Sequence, residues 1–571
     1  MDQLLSLPCV PDIRDFLGKL PEDLERAYDE ILDRINSQKG RTPEIARRAF
    51  LWVMCSCKPL TPGMLVDAVC QDPETRATNP LDIDINTVLE ACRGLVIIDR
   101  SDICRFSHLS VQEYLETYRY RNSQAHLLVG TVCLQILLDL ADWHIVENAW
   151  LAFEPVERIN SILLYSVAYW PIHARLHAEE CVDDRLQSLV KEFLGSPKEG
   201  SAVYMRWSGA CPRYSDVTIS LSSGPVYAIV FFHLNQILSN WWTYNINVDS
   251  RDEYELPLIH MAGLTGNMTA AVELLNLGAN PNIQHMFHGG AVYAAAFGGN
   301  EGIVSLLLDR GVNINAQGGT YGNALQTAVY RGSEVIVRLL LDRGADIHAQ
   351  GGHFGNALQA AVYLGNEAIV RILLDREPNI HTQGGHLGNA LQAAACGGNE
   401  AIVHLLLDRG AGIHVQGGYY GNALQAAAST GSEAIVRLLL DLGADINACG
   451  GEFGNALQAA THYGREAVVR LLLDRGANIH AQGGYLCDMF PAARSNDTES
   501  LYFESYDEGE GYYVNALQAS VHLGWECIAS LLLDRGADIN NVKEHLDSCV
   551  DCRTRDLSPA VKRALLAMAP K

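Results

Sequence analysis

Basic side chains are scarce in these 571 residues. Lys and Arg number 42 against 67 Asp and Glu, a formal net charge of −25. Binding to nucleic acid or to an anionic bilayer needs clustered cations, so neither is expected as a partner. Long apolar runs are also missing. The most apolar, Leu127 to Leu138, is about two-thirds of a bilayer span and is bounded by Arg121 and Asp139. It reads as a buried helix, and no membrane insertion is expected. The opening MDQLLSLPCVPD has no basic stretch and no long apolar core, so no secretory leader is expected. Fifteen cysteines, an odd number, lie scattered along the chain. Reduced thiols and a cytoplasmic or nuclear location are the simplest expectation. What remains is 48% apolar and 19% charged, enough to bury cores in about three or four units.

The second half repeats itself. The string GNALQ begins at Gly322, Gly355, Gly388, Gly421 and Gly454, always 33 residues apart. Gly290-Ala-Val-Tyr-Ala and Pro257-Leu-Ile-His extend the period backwards, and Gly224-Pro-Val-Tyr-Ala is a degraded further step. Asn515-Ala-Leu-Gln follows Asn455 by 60 positions, so that unit carries 27 extra residues. Eight repeats are readable and a ninth is degenerate. In the unit from Asn323, Ala324, Leu325 and Ala328 share one face of a short helix. Gly332 breaks it, because the turn there suits positive φ. Ser333 can cap the next helix, as can Asn300, Asn366, Asn399 and Ser432 in sister units. Ile336, Val337, Leu339 and Leu340 form its apolar face, and Gly344 ends it. One such unit cannot bury its apolar side alone, so neighbours must stack. The GGxxG between units is read as a turn. A phosphate loop needs a preceding strand and a following Lys-Ser/Thr, and GxxxxGK[S/T] occurs nowhere in the chain.

These repeats closely resemble ankyrin repeats. The family's Thr-Pro-Leu-His-x-Ala stands here as Asn-Ala-Leu-Gln-x-Ala, and LLLDRGADI matches the second helix and its exit. The resemblance covers about Gly224 to Asn541. Glu377-Pro378 departs from it, replacing Gly-Ala at a junction that prefers positive φ.

The first half reads as helices followed by a hairpin. Leu24, Ala27, Tyr28, Ile31 and Ile35 recur at helical spacing. Thr42-Pro43-Glu44 and Thr61-Pro62 are helix starts. A helix over roughly Ile85 to Arg93 stops at Gly94. Leu95 to Ile98 and Ile103 to Phe106 follow as two short strands around Arg100-Ser101-Asp102. Ser110-Val-Gln-Glu113 reads as a capping box. Three helices and a hairpin is the order of a winged helix. DNA reading is not expected, because the third helix, NTVLEACR, offers one Arg and one Glu. LPEDLERAYDEILDRI, FLWVMCSCKPLTPGMLVDAV, ACRGLVIID and FSHLSVQEYL resemble the region after the NACHT module in fungal STAND proteins, the nucleotide-switched signalling NTPases. They are similar to the winged helix of GPI inositol-deacylase-like proteins. LLYSVAYWPIHA resembles the helical linker that precedes ankyrin repeats there. The resemblance implies that His108, of the F-x-H motif, touches a nucleotide phosphate. With no phosphate loop in the chain, His108 is expected either to act on a NACHT partner in trans or to pack at a helix start.

The implied fold class is mainly α: a winged-helix domain and helical linker followed by an ankyrin-repeat solenoid. The expected boundaries are a helical segment at 1–40, resembling the end of a NACHT-associated region, a winged helix at 41–119, and a helical linker at 120–223. Repeats are expected at 224–541 with an acidic insertion near 486–511, and a cap or tail at 542–571. No catalytic residue, cofactor or metal is expected. Cys549-x-x-Cys552 with His545 is only half a zinc site, and His177-Ala-Glu179 lacks the Pro-Cys-x-x-Cys of a zinc deaminase.

Variation within the period marks where a protein partner would bind. The finger column runs His288, Tyr321, Phe354, Leu387, Tyr420, Phe453 and Tyr513, beside Phe287, Thr320, His353, His386, Tyr419, Glu452 and Tyr485. The inner-helix column runs Phe297, Tyr330, Tyr363, Cys396, Ser429, His462 and His522. Aromatic tips suit partner anchoring on the fingers and concave surface. Alternatively, they stack on one another and stiffen the fingers. Two functional readings stand: an ankyrin sensor or scaffold derived from a STAND receptor, or the regulatory half of a split switch working with a separate NACHT subunit.

Overall fold

A computed structural model describes residues 22–74, 83–140, 143–144, 146, 161–210, 224–243, 246–483 and 515–540. The predicted segment before residue 22, the acidic insertion, Tyr485, Tyr513 and the tail with His545, Cys549 and Cys552 lie outside these residues.

Helix α1 (Glu22–Asn36) is amphipathic. Its buried face is Tyr28, Leu32 and Ile35, whereas Leu24 is exposed. The apolar stripe is thus rotated from the one expected, with Leu32 included and Leu24 and Ala27 left out. Helices α2 (Thr42–Cys55), α3 (Pro62–Cys70) and α4 (Ile85–Ala91) follow. Proline sits in the first turn of α2 and α3, where its missing N–H costs nothing. Thr61 caps α3 and Asp84 caps α4. Strands β1 (Val96–Ile98) and β2 (Cys104–Phe106) pair antiparallel, Val96 opposite Phe106 and Ile98 opposite Cys104. The turn between them holds Asp102 at φ 58°. Cys104 also donates its N–H to the Leu60 carbonyl at 2.8 Å, tying the hairpin to the α2–α3 loop. This is a winged helix.

Helix α5 (Leu109–Tyr114) passes through a π turn at Leu115–Arg119 and leads to α6 (Asn122–Leu138) and α7 (Ile162–Ala178). The apolar run 127–138 lies within α6 and is largely buried. Gly130 lets the two helices approach: a Cβ there would sit 3.4 Å from the Cβ of His173 on α7. Helices α8 (Asp184–Leu194) and α9 (Ala202–Ala210) close an aromatic knot. Trp207 meets Trp170, Phe193 and Phe232 at ring distances of 5.6, 5.5 and 5.9 Å, and its Nε1 donates to the Val167 carbonyl at 2.9 Å. Helix α10 (Pro225–Phe232) falls where the first helix of the degenerate repeat is expected, and a 3-10 turn at Ser239–Thr243 follows it in place of a full second helix.

The chain divides into two units, 1–280 and 281–571. The pair α11 (Leu258–Thr265) and α12 (Met268–Asn276) belongs to the first. In the second, the pairs are α13 (Ala291–Phe297) with α14 (Glu301–Asp309), α15 (Ala324–Tyr330) with α16 (Glu334–Asp342), and α17 (Ala357–Tyr363) with α18 (Glu367–Leu374). Then come α19 (Ala390–Gly397) with α20 (Glu400–Asp408), α21 (Ala423–Thr430) with α22 (Glu433–Asp441), α23 (Ala456–His462) with α24 (Glu466–Asp474), and α25 (Ala516–His522) with α26 (Glu526–Asp534).

Each element of the repeated string has a job. Asn323 N-caps α15, accepting the Gln326 N–H at 2.9 Å, and Asn356, Asn389, Asn422, Asn455 and Asn515 repeat this cap. The Ala and Leu positions are buried between neighbouring inner helices. The Gln reaches into the following unit. Gln326 Nε2 donates to the Gly351 and Gly355 carbonyls at 3.0 and 3.1 Å, and Gln359 donates to Gly384 and Gly388 at 3.0 and 2.7 Å. Gln392, Gln425 and Gln458 make equivalent bonds. Ser333, Asn366, Asn399 and Ser432 cap the outer helices as expected, whereas Asn300 makes no side-chain cap. Ile336, Val337 and Leu340 are fully buried, while Leu339 is only half-buried at the edge of its face.

Arg343 pairs with Asp309, Arg376 with Asp342 and Arg475 with Asp441, each at 2.8 Å, forming a ladder across successive outer helices. Leu442 replaces one Arg, so α22 lacks that rung. Arg535 pairs with Asp474 at 2.8 Å across the insertion, and Trp525 Nε1 donates to the His462 carbonyl at 3.2 Å. The last described pair therefore stacks directly on α23 and α24.

Candidate protein-binding surface

The fingers are glycine hairpins. Gly351 donates its N–H to the Gly355 carbonyl at 2.8 Å, with Gly351, Gly352 and Gly355 at φ 146°, 63° and 91°. A Cβ on Gly352 would lie 2.2 Å from the Tyr321 backbone carbon of the preceding finger. Glycine is needed because adjacent fingers nearly touch. They also join through backbone bonds, Tyr419 N–H to the His386 carbonyl at 3.0 Å and Glu452 N–H to Tyr419 at 2.9 Å. The GGxxG strings are turns, as their sequence context implied.

The two aromatic columns meet. His288 lies 5.8 Å from Phe297, and Phe297 stacks at 6.4 Å on Tyr321, which stacks at 3.9 Å on Tyr330. Tyr330 continues to Phe354 at 6.2 Å, and Phe354 to Tyr363 at 5.6 Å. Leu387 interrupts the run. It resumes with Tyr420 on Phe453 at 6.3 Å and Phe453 against His462 at 4.9 Å. Ring pairs of this kind contribute about 0.5–1.5 kcal/mol each beyond burial.

Exposure sorts these residues. Phe354 and Phe453 are only 6% and 4% exposed, so they reach a partner chiefly through the rings they support. Ser429 and His522 are buried as well. Phe297, Tyr321, Tyr420, Cys396 and His462 are half-buried. Tyr330 and Tyr363 are open, at 36% and 38%. Of the two expectations for the finger column, partner anchors or stacked struts, Phe354, Leu387 and Phe453 fit the strut, and the two rings turn onto Tyr363 and His462 of the inner helices. Burial pushes the phenols of Tyr420 and Tyr363 up and the imidazole of His462 down. Burial, with His285 stacked on it, takes His288 down to about 4. The Arg331 guanidinium sits 4.9 Å over the Phe297 ring, adding a cation to the open aromatic edge.

One surface feature escaped the sequence reading. Met286 is 67% exposed beside Phe287 at 43%, on the first finger of this unit. The signal was available: His285-Met286 stand where the later fingers have Gly-Gly.

His108 is exposed and N-caps α5. Its Nδ1 accepts the Ser110 N–H at 3.2 Å and lies 2.6 Å from Ser110 Oγ, itself 2.7 Å from Tyr28 Oη. Ser110, expected as the cap, lies inside the first turn, and its hydroxyl is taken up by His108 and Tyr28.

Comparison with known proteins agrees with this architecture. Residues 258–351 and 391–483 match the model for ankyrin repeats, and residues 33–125 match that for the GPI inositol-deacylase winged helix domain. The repeats are ankyrin repeats. The chain shares 26% identity with the crystal structure of the human ASB11 ankyrin repeat domain, covering 38% of this chain and 98% of that one with a TM-score of 0.34. A curated relative, the azaphilone pigments biosynthesis cluster protein L of Monascus ruber, is 30% identical over 147 residues. The match covers 22% of this chain and 30% of that protein. Ankyrin repeats indicate a protein-interaction module. Among the described residues, no helix is long and apolar enough to cross a membrane.

Proposed function

We propose that the chain is a non-catalytic sensor or scaffold related to fungal STAND signalling receptors, acting in the cytoplasm or nucleus. It would bind a protein partner along its ankyrin fingers and inner-helix ends. The observation carrying this reading is the open aromatic edge at Tyr330 and Tyr363, on successive inner helices and held in place by stacking on Tyr321 and Phe354. Exposed Tyr side chains fixed by their neighbours lose little entropy on binding, which suits them as anchors. Met286 and Phe287 extend the apolar surface. The test is affinity capture from native extract with the full chain, identifying partners and measuring their affinities. Tyr330→Ala with Tyr363→Ala is expected to weaken a specific partner by about 1–2 kcal/mol per anchor while circular dichroism is unchanged. Undiminished affinity for every captured protein would overturn the assignment of this edge.

A second reading is supported by one observation: His108 is exposed at the start of a helix in the winged-helix domain. In a split switch, a separate NACHT subunit would bring its nucleotide to this residue. That reading requires nucleotide-dependent association lost on His108→Ala, whereas the scaffold reading requires association indifferent to nucleotide.

A further inference from the structure

Sulfur and imidazole groups from three helices of the first unit converge on one point. Cys55 ends α2, Cys57 follows in the next loop, His126 lies in the first turns of α6, and His173 is on α7. One ligand atom from each of Cys55, His126 and His173 lies within 4.8 Å of the other two. His126 Nδ1 is 2.8 Å from His173 Nδ1, and Cys57 Sγ is 3.5 Å from His173 Nε2. His173 is completely buried, whereas Cys57 is exposed, which provides a path from solvent. In sequence only Cys55 and Cys57 are near neighbours, so no ligand spacing was readable. The fold alone assembles the group.

Thiolate with imidazole is the donor set of zinc-class ions. Bonds of about 2.3 Å to sulfur and 2.0 Å to nitrogen place neighbouring ligand atoms of a tetrahedral ion about 3.3–3.8 Å apart. The two Nδ1 atoms, 2.8 Å apart, must separate slightly to admit an ion, and Cys57, which stands by the other nitrogen of His173, must turn its thiol towards Cys55 and His126 to complete the shell. Two thiolates would neutralise its double positive charge, which matters beside a buried imidazole. The surroundings are also those of a ligand shell. Tyr165 Oη lies 2.9 Å from His173 Nε2 and accepts the Cys57 N–H at 2.9 Å, orienting both. One turn along α7, His177 Nδ1 is held 2.8 Å from the Ser123 carbonyl, which leaves its buried Nε2 as a lone pair with no hydrogen-bond partner. A hydrogen-bonded chain from Tyr165 through His173 to His126 is the competing account, but it gives no role to Cys55, whose thiol stands among the same groups.

We propose that Cys55, His126 and His173, with Cys57 turning in as the fourth ligand, form a binding site for a zinc-class divalent cation, which clamps the end of the winged helix's first helix to α6 and α7. Binding releases the two thiol protons to solvent, so affinity rises with pH.

The test uses the full chain, reduced, stripped of metal and titrated with Co(II) and then Zn(II) against a weak chelator. One equivalent is expected to bind, with thiolate-to-cobalt charge transfer and the visible bands of tetrahedral cobalt. Cys57→Ser, at an exposed position, is expected to weaken binding about 100-fold or more without loss of fold, and Cys55→Ser likewise. Cys449→Ser, at an exposed finger cysteine, is expected to bind as wild type. Zinc should raise the melting temperature of wild type and Cys449→Ser but not of Cys57→Ser. A folded wild type that takes up no cobalt, or cobalt spectra and affinity unchanged in Cys57→Ser, would overturn the site and leave the hydrogen-bonded chain as the explanation.

Discussion

The two units bury their apolar surface in different ways. The largest fully buried side chains, Trp52, Trp170, Trp207, Tyr114, Tyr165, Tyr204, Phe50 and Phe193, all belong to the first unit. The described core of the second is filled mainly by Ala, Leu, Ile and Val, and most of its described aromatics lie along the finger edge. The contrast follows from geometry. Helices of a repeat array must approach closely and identically many times, which favours small residues on the inner helices. The first unit packs each pair of elements once, so large rings can fill irregular gaps. Stabilisation there is concentrated in a few contacts, whereas the array spreads it over many equal ones.

The largest effect that tests this contrast is Trp207→Ala. It removes a fully buried indole from the knot with Trp170 and Phe193 and is expected to cost about 3–5 kcal/mol. The first unit should lose its transition as a whole in a urea melt monitored by Trp fluorescence. A loss below about 1 kcal/mol would show that the knot is not where this unit's stability is concentrated.

A smaller effect should appear in acid. The folded pKa of His288 lies near 4, below the ordinary imidazole value of about 6.5, so the unfolded chain binds the proton more readily between these values. The contribution is complete above about pH 6.5 and is lost as pH falls towards and through 4, on the order of 3 kcal/mol. His288→Phe, which copies Phe354 in the same column, should flatten the slope of stability against pH in that window. Identical slopes for variant and wild type would mean that His288 is not held neutral by the aromatic edge.

Within the array, Gln359→Ala probes the bridge to the next finger. The Gly388 carbonyl keeps its bond from the Gly384 N–H at 2.9 Å, while the Gly384 carbonyl loses its Gln partner. The expected cost is about 1–2 kcal/mol, with faster hydrogen exchange confined to the neighbouring fingers. Exchange spread evenly over all repeats would contradict the local character assigned to the array.

The smallest effect has the opposite sign. Glu377 sits at φ 54°, where sister repeats have glycine. Glu377→Gly should relieve left-handed strain and raise stability by about 1 kcal/mol, read as a higher melting temperature. No change would show that the Glu377-Pro378 junction has relaxed by other means.

Much of this architecture was legible in the chain. The 33-residue period, the Asn, Ser and Thr caps, the positive-φ glycines and the hairpin at residues 96–106 all follow from local rules, because caps, turns and periodicity involve residues close in sequence. The exact face of α1 was less so: Leu32 and Leu24 are equally apolar, and only the elements packed against the helix choose between them.

Other features depend on contacts between distant residues. Ser110 and His108 both could cap α5, and the Tyr28 hydroxyl, supplied by another helix, helps to fix the arrangement. The variable aromatic columns were visible as columns, but their division into buried struts such as Phe354 and Phe453 and open edges such as Tyr330 and Tyr363 depends on how each ring turns against its neighbour. The repeated Gln was visible as a departure from the ankyrin pattern, yet its bridge to the next finger exists only once units stack. The meeting of Cys55, Cys57, His126 and His173 left no mark on spacing at all. Sequence alone determined which elements form and how often they repeat, since hydrogen bonds and backbone strain act over a few residues. Tertiary structure decided which side chains meet, because close packing brings together groups that the chain separates by more than a hundred residues.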